Sequence, residues 1–252
     1  MVARKMASSL SIVPEQSSIL EIGGGKGILT RALMELGRPI TVVEIDSSLA
    51  EKLRRDSREE STVRVINEDI LNIHPQSISP DGGICLCANV PYHISGLILR
   101  WVSEHHGYFL KVLLMLQKEV ALRVCGEKPG KDYGVLSVVL SLDYIGRYLF
   151  TVKASNFSPK PKVDSGVVLL VHRKSSLLED SRRDNFIELV KTAFSQRRKK
   201  LHNAICRHYD LEPMAMADLI KKAGLDPHKR PEMLSAGDFI KLYACLSARE
   251  PN

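Results

Sequence analysis

Residues 18–36 read SILEIGGGKGILTRALMEL, which is a short apolar run, a glycine cluster and a second apolar segment. The run Ser18 to Ile22 is typical of a buried parallel strand, and the segment that starts at Ile28 is typical of a helix. Glycines between a strand and a helix allow a tight turn and a close approach of a ligand to the backbone. This order of elements predicts a nucleotide-type binding site in an α/β fold.

The spacing of the glycines argues against a dinucleotide ligand. From Glu21 the pattern is Glu-x-Gly-x-Gly-x-Gly, with glycines at Gly23, Gly25 and Gly27. The dinucleotide fingerprint Gly-x-Gly-x-x-Gly needs a glycine at position 28, which is Ile28. The loop therefore predicts a different nucleotide-like ligand.

Acidic residues follow the next two predicted strands. Glu44, near the end of strand 39–46, lies 21 positions beyond Gly23 (44 − 23), where a carboxylate is placed to bind ribose hydroxyls. Asp69 follows strand 62–67 and is placed to accept a hydrogen bond from an adenine amino group. These groups suit a ligand that has an adenine and a ribose and that needs no phosphate-binding lysines. They predict S-adenosylmethionine as the cofactor.

The tetrapeptide Asn89-Val90-Pro91-Tyr92 follows a fourth apolar run, residues 84–87, at the sheet edge where ligands bind. Pro91 fixes its own φ and holds Val90 extended, so the Val90 carbonyl and the Asn89 side chain face one point. If the exocyclic amine of a nucleobase donates hydrogen bonds to both acceptors, its nitrogen becomes more tetrahedral and its lone pair points outward. Tyr92 offers a face on which a base can stack. The alternative is a strand-end turn in which Asn89 caps the next helix.

The composition is that of a soluble globular protein with a basic excess. The chain has 252 residues, a net charge of +7 and a pI near 9.1, which suits a nucleic-acid partner and equally fits a solvated basic surface. The five cysteines are odd in number and indicate reduced thiols, with neither a disulfide framework nor a metal site. Because apolar runs are short and the amino terminus lacks a signal-peptide core, we expect no membrane partner and a cytoplasmic location.

The remaining pattern predicts a doubly wound, mostly parallel Rossmann-like α/β sheet followed by a small helical domain. Strands are expected at 107–117, 136–144 and 167–172, the last pair antiparallel, and helices at 2–12, 118–125, 185–207, 213–224 and 235–246. The polar loop 126–134 is a candidate RNA-facing lid or an ordinary surface connection.

Seven segments resemble, in order and spacing, the motifs of the ribosomal RNA adenine N6,N6-dimethyltransferase family. They are LEIGGGKGILT (20–30), VEID (43–46), NEDIL (67–71), NVPYHIS (89–95), KDYGVLSV (131–138), FSPKPKVDS (157–165) and FSQRRKK (194–200). The combination is far more specific than a glycine loop alone. The resemblance implies a class I methyltransferase domain in residues 1–174 and a C-terminal helical RNA-binding domain in residues 175–252.

The resemblance also implies how the cofactor is bound. The methionine end of S-adenosylmethionine would lie near Gly23, and Asn89 would lie between cofactor and substrate. The ribose would bind Glu44, and the adenine amino group would bind Asp69. The implied cofactor-binding set is Glu21, Gly23, Gly25, Gly27, Glu44, Ile45, Asp69, Ile70 and Asn89.

For the target adenine, the resemblance implies a catalytic set of Asn89, Val90, Pro91, Tyr92 and Phe157. Asn89, the Val90 carbonyl and Tyr92 would hold the base, and Phe157 would form a second stacking face. The alternative for Phe157 is a core aromatic residue that anchors a loop.

Basic residues in the last two motifs are candidate phosphate contacts. They are Lys160, Lys162, Arg197, Arg198, Lys199 and Lys200. Such residues would hold RNA through salt-sensitive contacts that are independent of base sequence. The alternative is a solvated basic face.

Two departures from the family pattern bear on these expectations. The family has an earlier basic segment with a Gly-Gln-x-Phe-Leu type motif that lies over the cofactor, and this sequence starts after it. Val90 stands where Leu or Ile is usual, a mild change because the backbone acceptor is preserved.

We accordingly expect an enzyme that dimethylates adenine N6 on adjacent adenosines of small-subunit ribosomal RNA. It would act in ribosome biogenesis, as a monomer, on the immature small subunit. The alternatives are methylation of a large-subunit RNA adenine, methylation of a protein glutamine amide, and a non-catalytic RNA-binding assembly or transcription factor. The basic helical segment argues against the amide, and the retained cofactor motifs argue against the non-catalytic role.

Overall fold

The computed structural model describes residues 2–10, 17–126, 133–196 and 198–248. These residues contain a seven-stranded sheet in the order β3-β2-β1-β4-β5-β7-β6. The strands are β1 Ser18–Ile22, β2 Ile40–Glu44, β3 Val63–Asn67, β4 Ile84–Asn89, β5 Phe109–Gln117, β6 Tyr144–Val152 and β7 Ser165–His172. Strands β1 to β5 are parallel, and β7 runs antiparallel to β5. The predicted doubly wound, mostly parallel sheet is confirmed.

Helices lie on both sides of the sheet and form most of the carboxyl-terminal part of the chain. They are α1 Val2–Ser9, α2 Ile28–Met34, α3 Ser47–Asp56, α4 Ser95–Glu104, α5 Lys118–Val124, α6 Val135–Asp143, α7 Arg183–Ser195, α8 Leu201–Ile205, α9 Pro213–Lys222 and α10 Ala236–Ser247. Among the described residues, no helix is both long enough and apolar enough to cross a bilayer.

The order of the strands fixes where a ligand can bind. The chain moves outward from β1 to β2 and β3, then returns to the other side of β1 with β4. Loops therefore diverge between β1 and β4, and the carboxyl end of such a switch point is the usual ligand crevice of open α/β sheets. Ile22 pairs with Ala88 across this point, so Gly23 and Asn89 leave the sheet side by side.

The chain forms two compact units: residues 1–125 with 145–172, and residues 126–144 with 173–252. The first unit holds the sheet, and its core includes Met6, Leu10, Ile19, Leu33, Ile40 and Val42. The core of the second unit is helical and includes Val138, Leu142, Phe186, Phe194, Phe239 and Leu242. The functional division into domains 1–174 and 175–252 stays a prediction.

A buried ion pair joins α6 to α7 within the second unit. The Asp143 side chain is fully buried and accepts two hydrogen bonds from the Arg183 guanidinium. A bidentate pair of this kind fixes both distance and angle between the two helices.

Two sequence predictions of secondary structure were wrong. Residues 136–144 were expected as a strand, but Val135–Asp143 is helix α6 and the strand begins only at Tyr144. The run is mostly apolar because most of the helix is buried, with Val138 and Leu142 in the core of the second unit, and periodicity cannot distinguish a buried helix from a buried strand. The helix expected at 185–207 is broken between Ser195 and Leu201, where Lys200 is extended (ψ 148°) and Leu201 N donates to Lys229 O at 2.8 Å.

Candidate active site

A cavity of about 290 Å³ lies at the carboxyl ends of β1 and β4, in the crevice predicted by the strand order. We call it the cofactor cavity. Its lining residues include Glu21, Gly23, Gly24, Gly25, Lys26, Asn89, Met115, Asn156 and Phe157, together with Val2, Ala3 and Met6 of α1. The glycine loop and the tetrapeptide are therefore parts of one site.

The glycine loop adopts backbone conformations that other residues tolerate poorly. Gly25 has φ of 52°, in the left-handed region. At Gly24 a Cβ atom would lie 2.6 Å from Val42 Cγ1 and 2.8 Å from Leu53 Cδ1. The loop is thus packed against the sheet on one side while its backbone lines the cavity on the other.

Glu44 connects the glycine loop to the end of β2. Its buried carboxylate accepts a hydrogen bond from Gly25 N at 2.8 Å and another from Asp46 N at 3.0 Å. Asn67 Nδ2 donates to the carbonyl oxygens of Glu44 at 2.8 Å and Ile45 at 3.1 Å. The ends of β1, β2 and β3 are therefore held together by polar contacts, and Glu44 keeps lone pairs available for a ligand.

Ile45, Asp69 and Ile70 lie at the same edge of the sheet, outside the lining of the cofactor cavity. Asp69 accepts a hydrogen bond from Leu71 N at 3.0 Å and so caps a short 3₁₀ turn. Ile70 is buried, whereas Ile45 is 69% exposed. An exposed apolar side chain beside two acidic residues is a suitable surface for the face of a base.

Glu21 is a buried carboxylate that faces the cofactor cavity. In the part of the chain that the structure describes, neither of its carboxylate oxygens has a hydrogen-bond partner of good geometry. Burial raises the pKa of Glu21 from 4.5 to about 7; the Glu44 charge adds to this rise and nearby Thr30 opposes it. A buried acceptor without a partner is suited to a cationic group of a ligand.

The raised pKa predicts how stability depends on pH. The folded protein holds the Glu21 proton more tightly than the unfolded chain does, so the free energy of unfolding falls as pH rises from 4.5 to about 7. The loss should amount to about 3 kcal/mol in the ligand-free protein. Urea denaturation of the wild type and of Glu21→Gln at pH 4.5, 6 and 7.5 measures it. If the difference in stability between the two proteins is constant across this range, Glu21 does not carry the shift.

A second cavity, of about 220 Å³, lies beside the first and is lined by Asn89, Val90, Pro91, Tyr92, Phe157, Pro159 and Pro161. We call it the base cavity. Asn89 and Phe157 line both cavities. A group held in the base cavity therefore meets the cofactor cavity at the Asn89 side chain.

The tetrapeptide is held by contacts to neighbouring elements. Val90 N donates to Met115 O at 3.2 Å, and the hydroxyl groups of Tyr92 and Ser165 are hydrogen-bonded at 2.9 Å. The alternative in which Asn89 caps the next helix is wrong, because Ile94 occupies the N-cap position of α4 and Asn89 stays exposed. Its amide is therefore free to bind a substrate.

Phe157 is placed both to stack on a base and to anchor its loop in the core, the two roles expected from the sequence. Its half-buried ring packs against the core of the first unit and also lines both cavities. Asp164 fixes the loop that carries it, because its carboxylate accepts hydrogen bonds from Lys153 Nζ at 2.9 Å and Ala154 N at 3.0 Å. The exposed side chains of Lys160 and Lys162 lie on the same loop.

Several lining residues were missed by sequence reasoning. Met115 and Asn156 line the cofactor cavity, as do the α1 side chains. The amphipathic pattern of α1 gave a helix but no reason to place it over a ligand. Asn156 precedes the motif residue Phe157, and that adjacency was the only available signal.

The basic run lies in the second unit, where Arg198, Lys199 and Lys200 are exposed and Arg197 falls outside the described residues. Leu201 N donates to Lys229 O at 2.8 Å, which brings the turn containing Lys229 and Arg230 beside the run. The five described basic residues of the run and this turn are exposed: Arg198, Lys199, Lys200, Lys229 and Arg230. We call this set the basic surface.

Comparison with known proteins identifies the family of this chain. The ribosomal RNA adenine dimethylase family matches residues 2–247. A ribosomal RNA small subunit methyltransferase A from Porphyromonas gingivalis is 39% identical over 252 residues, covering 97% of this chain and 92% of that protein.

Two crystal structures share the fold across almost the whole chain. A dimethyladenosine transferase from Plasmodium falciparum has a TM-score of 0.79 with 25% identity, covering 95% of this chain and 93% of that one. The 23S rRNA methyltransferase ErmE has a TM-score of 0.78 with 24% identity, covering 98% and 97%; at that identity the likeness concerns the fold alone. The family match across the chain, with the relative at 39% identity, establishes that this protein belongs to the ribosomal RNA adenine dimethylase family.

Proposed function

We propose that this protein transfers methyl groups from S-adenosylmethionine to N6 of adenine in small-subunit ribosomal RNA, twice on the same nitrogen. The observation that carries the proposal is the meeting of two cavities at Asn89, one suited to the cofactor and one to a base. The small-subunit relative at 39% identity supports the choice of RNA. We further propose that the protein acts as a cytoplasmic monomer, on adjacent adenosines of the immature subunit.

The residues present fit S-adenosylmethionine. Glu21 offers a buried acceptor for the ammonium group of its amino-acid end, and the glycine loop lines the same cavity. Glu44 would accept from the ribose hydroxyls, Ile45 would pack on the adenine, and Asp69 would accept from its amino group. When bound, the cofactor supplies a methyl group activated by a sulfonium.

The tetrapeptide would prepare the attacking amine. In the first transfer, Asn89 Oδ1 and the Val90 carbonyl would accept hydrogen bonds from the two N–H groups of adenine N6, which would turn the nitrogen lone pair toward the cofactor cavity. Held in this way, the nitrogen would be directed at the methyl group that the bound cofactor would supply, with the sulfur as leaving group. The N6 proton is then lost to water, because the neutral amide of Asn89 is not a base at pH 7.

Aromatic residues would hold the target base outside its RNA stack. Tyr92 and Phe157 line the base cavity, and stacking on such rings contributes about 1–3 kcal/mol per base. Pro159 and Pro161 add rigid apolar walls. Base extrusion is the usual requirement for chemistry on a base within a folded nucleic acid.

The basic surface would bind RNA phosphates. We expect Arg198→Glu with Lys200→Glu to lower RNA affinity by about tenfold or more and to reduce the slope of log affinity against log salt by about two. Filter binding of small-subunit RNA at several salt concentrations measures both quantities. The matched control is Lys191→Glu with Lys222→Glu, which changes the net charge equally at exposed positions of α7 and α9. If the two double variants change RNA affinity and salt slope equally, the basic surface is a solvated face with no specific role in RNA binding.

The reaction itself is tested with methyl-labelled S-adenosylmethionine. Purified protein is incubated with immature small ribosomal subunits and, separately, with large-subunit RNA, and the digested nucleosides are identified. We expect label in N6,N6-dimethyladenosine of the small-subunit RNA alone. Label only in the large-subunit RNA would favour the alternative substrate. RNA binding without label would favour a non-catalytic role.

A further inference from the structure

We propose that Asn156 binds the amino-acid end of S-adenosylmethionine through its side-chain oxygen, an inference that rests on the proposed function. Asn156 ends the 3₁₀ turn Ala154–Asn156, directly before Phe157. Phe157 lines both the cofactor cavity and the base cavity, whereas Asn156 lines only the cofactor cavity of these two. The exposed Asn156 side chain therefore lies at the rim of the cofactor cavity.

Its contacts orient the Asn156 amide. Nδ2 donates to Lys153 O at 3.1 Å, and the backbone N of Asn156 donates to the same carbonyl at 2.9 Å. Since only the NH₂ end of the amide can donate, this contact leaves Oδ1 as an acceptor. The hydrogen bonds that the Asp164 carboxylate accepts from Lys153 and Ala154 hold the turn in place. The Asn156 acceptor is therefore positioned before a ligand arrives.

The chemistry of the cavity assigns a partner to this acceptor. The described residues that line the cofactor cavity offer three side chains with oxygen acceptors: Glu21, Asn89 and Asn156. Asn89 also lines the base cavity and is required there by the target amine. Glu21 and Asn156 remain for the ammonium group of the cofactor, which has three N–H donors and no acceptor.

The other parts of the cofactor have different partners. The ribose and adenine are assigned to Glu44, Ile45 and Asp69, which lie outside the lining of this cavity. The contact made by Asn156 should therefore be specific to the ammonium-bearing end of the molecule.

Isothermal titration with two ligands tests the proposal without any turnover. S-adenosylhomocysteine carries the amino-acid end, and 5′-methylthioadenosine lacks it while retaining the adenosine. We expect Asn156→Ala to weaken S-adenosylhomocysteine binding by about tenfold and to leave methylthioadenosine binding within about twofold of the wild type. Ser155→Ala is the matched control, since Ser155 lies exposed on the same turn outside the cavity lining.

A second variant separates a lost contact from a disturbed loop. Asn156→Asp loses the Nδ2 contact to Lys153 O as Asn156→Ala does, but it keeps an oxygen acceptor, so it should bind S-adenosylhomocysteine more tightly than Asn156→Ala. The proposal is overturned if Asn156→Ala leaves S-adenosylhomocysteine affinity unchanged, if methylthioadenosine loses affinity equally, or if Asn156→Asp binds S-adenosylhomocysteine no more tightly than Asn156→Ala. Failure of the wild type to bind S-adenosylhomocysteine at all would overturn the proposed function as well.

Discussion

Replacement of Asn89 by alanine is expected to lower the rate of methyl transfer by about 10³-fold while cofactor affinity changes by less than about threefold. The side chain lies where the two cavities meet, and its oxygen is the acceptor that turns the lone pair of the amine toward the methyl group. Loss of one preorganised hydrogen bond at a reacting centre typically lowers the rate by 10²–10³-fold. Single-turnover methylation of small-subunit RNA, with S-adenosylhomocysteine titration alongside, separates the two quantities.

Gln76→Ala provides the matched control for this experiment. Gln76 is an exposed amide on the 3₁₀ turn before β4, at the opposite end of that strand from Asn89. Turnover of this control should equal that of the wild type. Normal turnover by Asn89→Ala would exclude Asn89 as the acceptor. If cofactor affinity fell as much as the rate of methyl transfer, Asn89 would act in cofactor binding and not in the transfer step.

Replacement of Glu44 by alanine is expected to weaken cofactor binding by about 1.5–3 kcal/mol, which is about 10–150-fold. Two effects combine, because the variant loses a charged acceptor for the ribose and leaves Gly25 N and Asp46 N without their carboxylate partner. The second effect should loosen the glycine loop. Titration with S-adenosylhomocysteine gives the affinity, and a thermal melt of the ligand-free protein gives the stability.

Two variants distinguish these effects. Glu44→Gln keeps one oxygen acceptor and the side-chain shape, so it should recover part of the affinity. Glu51→Ala removes an exposed carboxylate from α3 and should change neither affinity nor melting temperature. Wild-type affinity in Glu44→Ala would remove this residue from the cofactor site.

The sheet could be predicted from sequence because its strands carry unambiguous signals. Apolar runs of five or six residues that end in glycine or acidic clusters have the length of parallel strands and the chemistry of a ligand edge. The run 136–144 has no such flanking signal, and its burial as helix α6 depends on packing partners from residues 173–248. Short-range pattern cannot reveal a partner that is distant in sequence.

The site residues that could be predicted are those whose position follows from nearby sequence. Asn89 before Val90 and Pro91, and Glu44 at its distance from Gly23, are informative because their geometry follows from adjacent residues. The burial of Glu21, which raises its pKa, depends on how β1 packs in three dimensions. The same is true of Met115 and Asn156, whose place in the cavity depends on how β5 and the loop after β6 meet the glycine loop.

The shared wall between the two cavities has a consequence for inhibitor design. Asn89 and Phe157 border both spaces, so one molecule that joins an adenosine–amino-acid portion to a second purine needs only a short tether past these side chains. Such a compound would gain from the high effective concentration of its second half once the first is bound. A compound confined to the cofactor cavity would lack this gain.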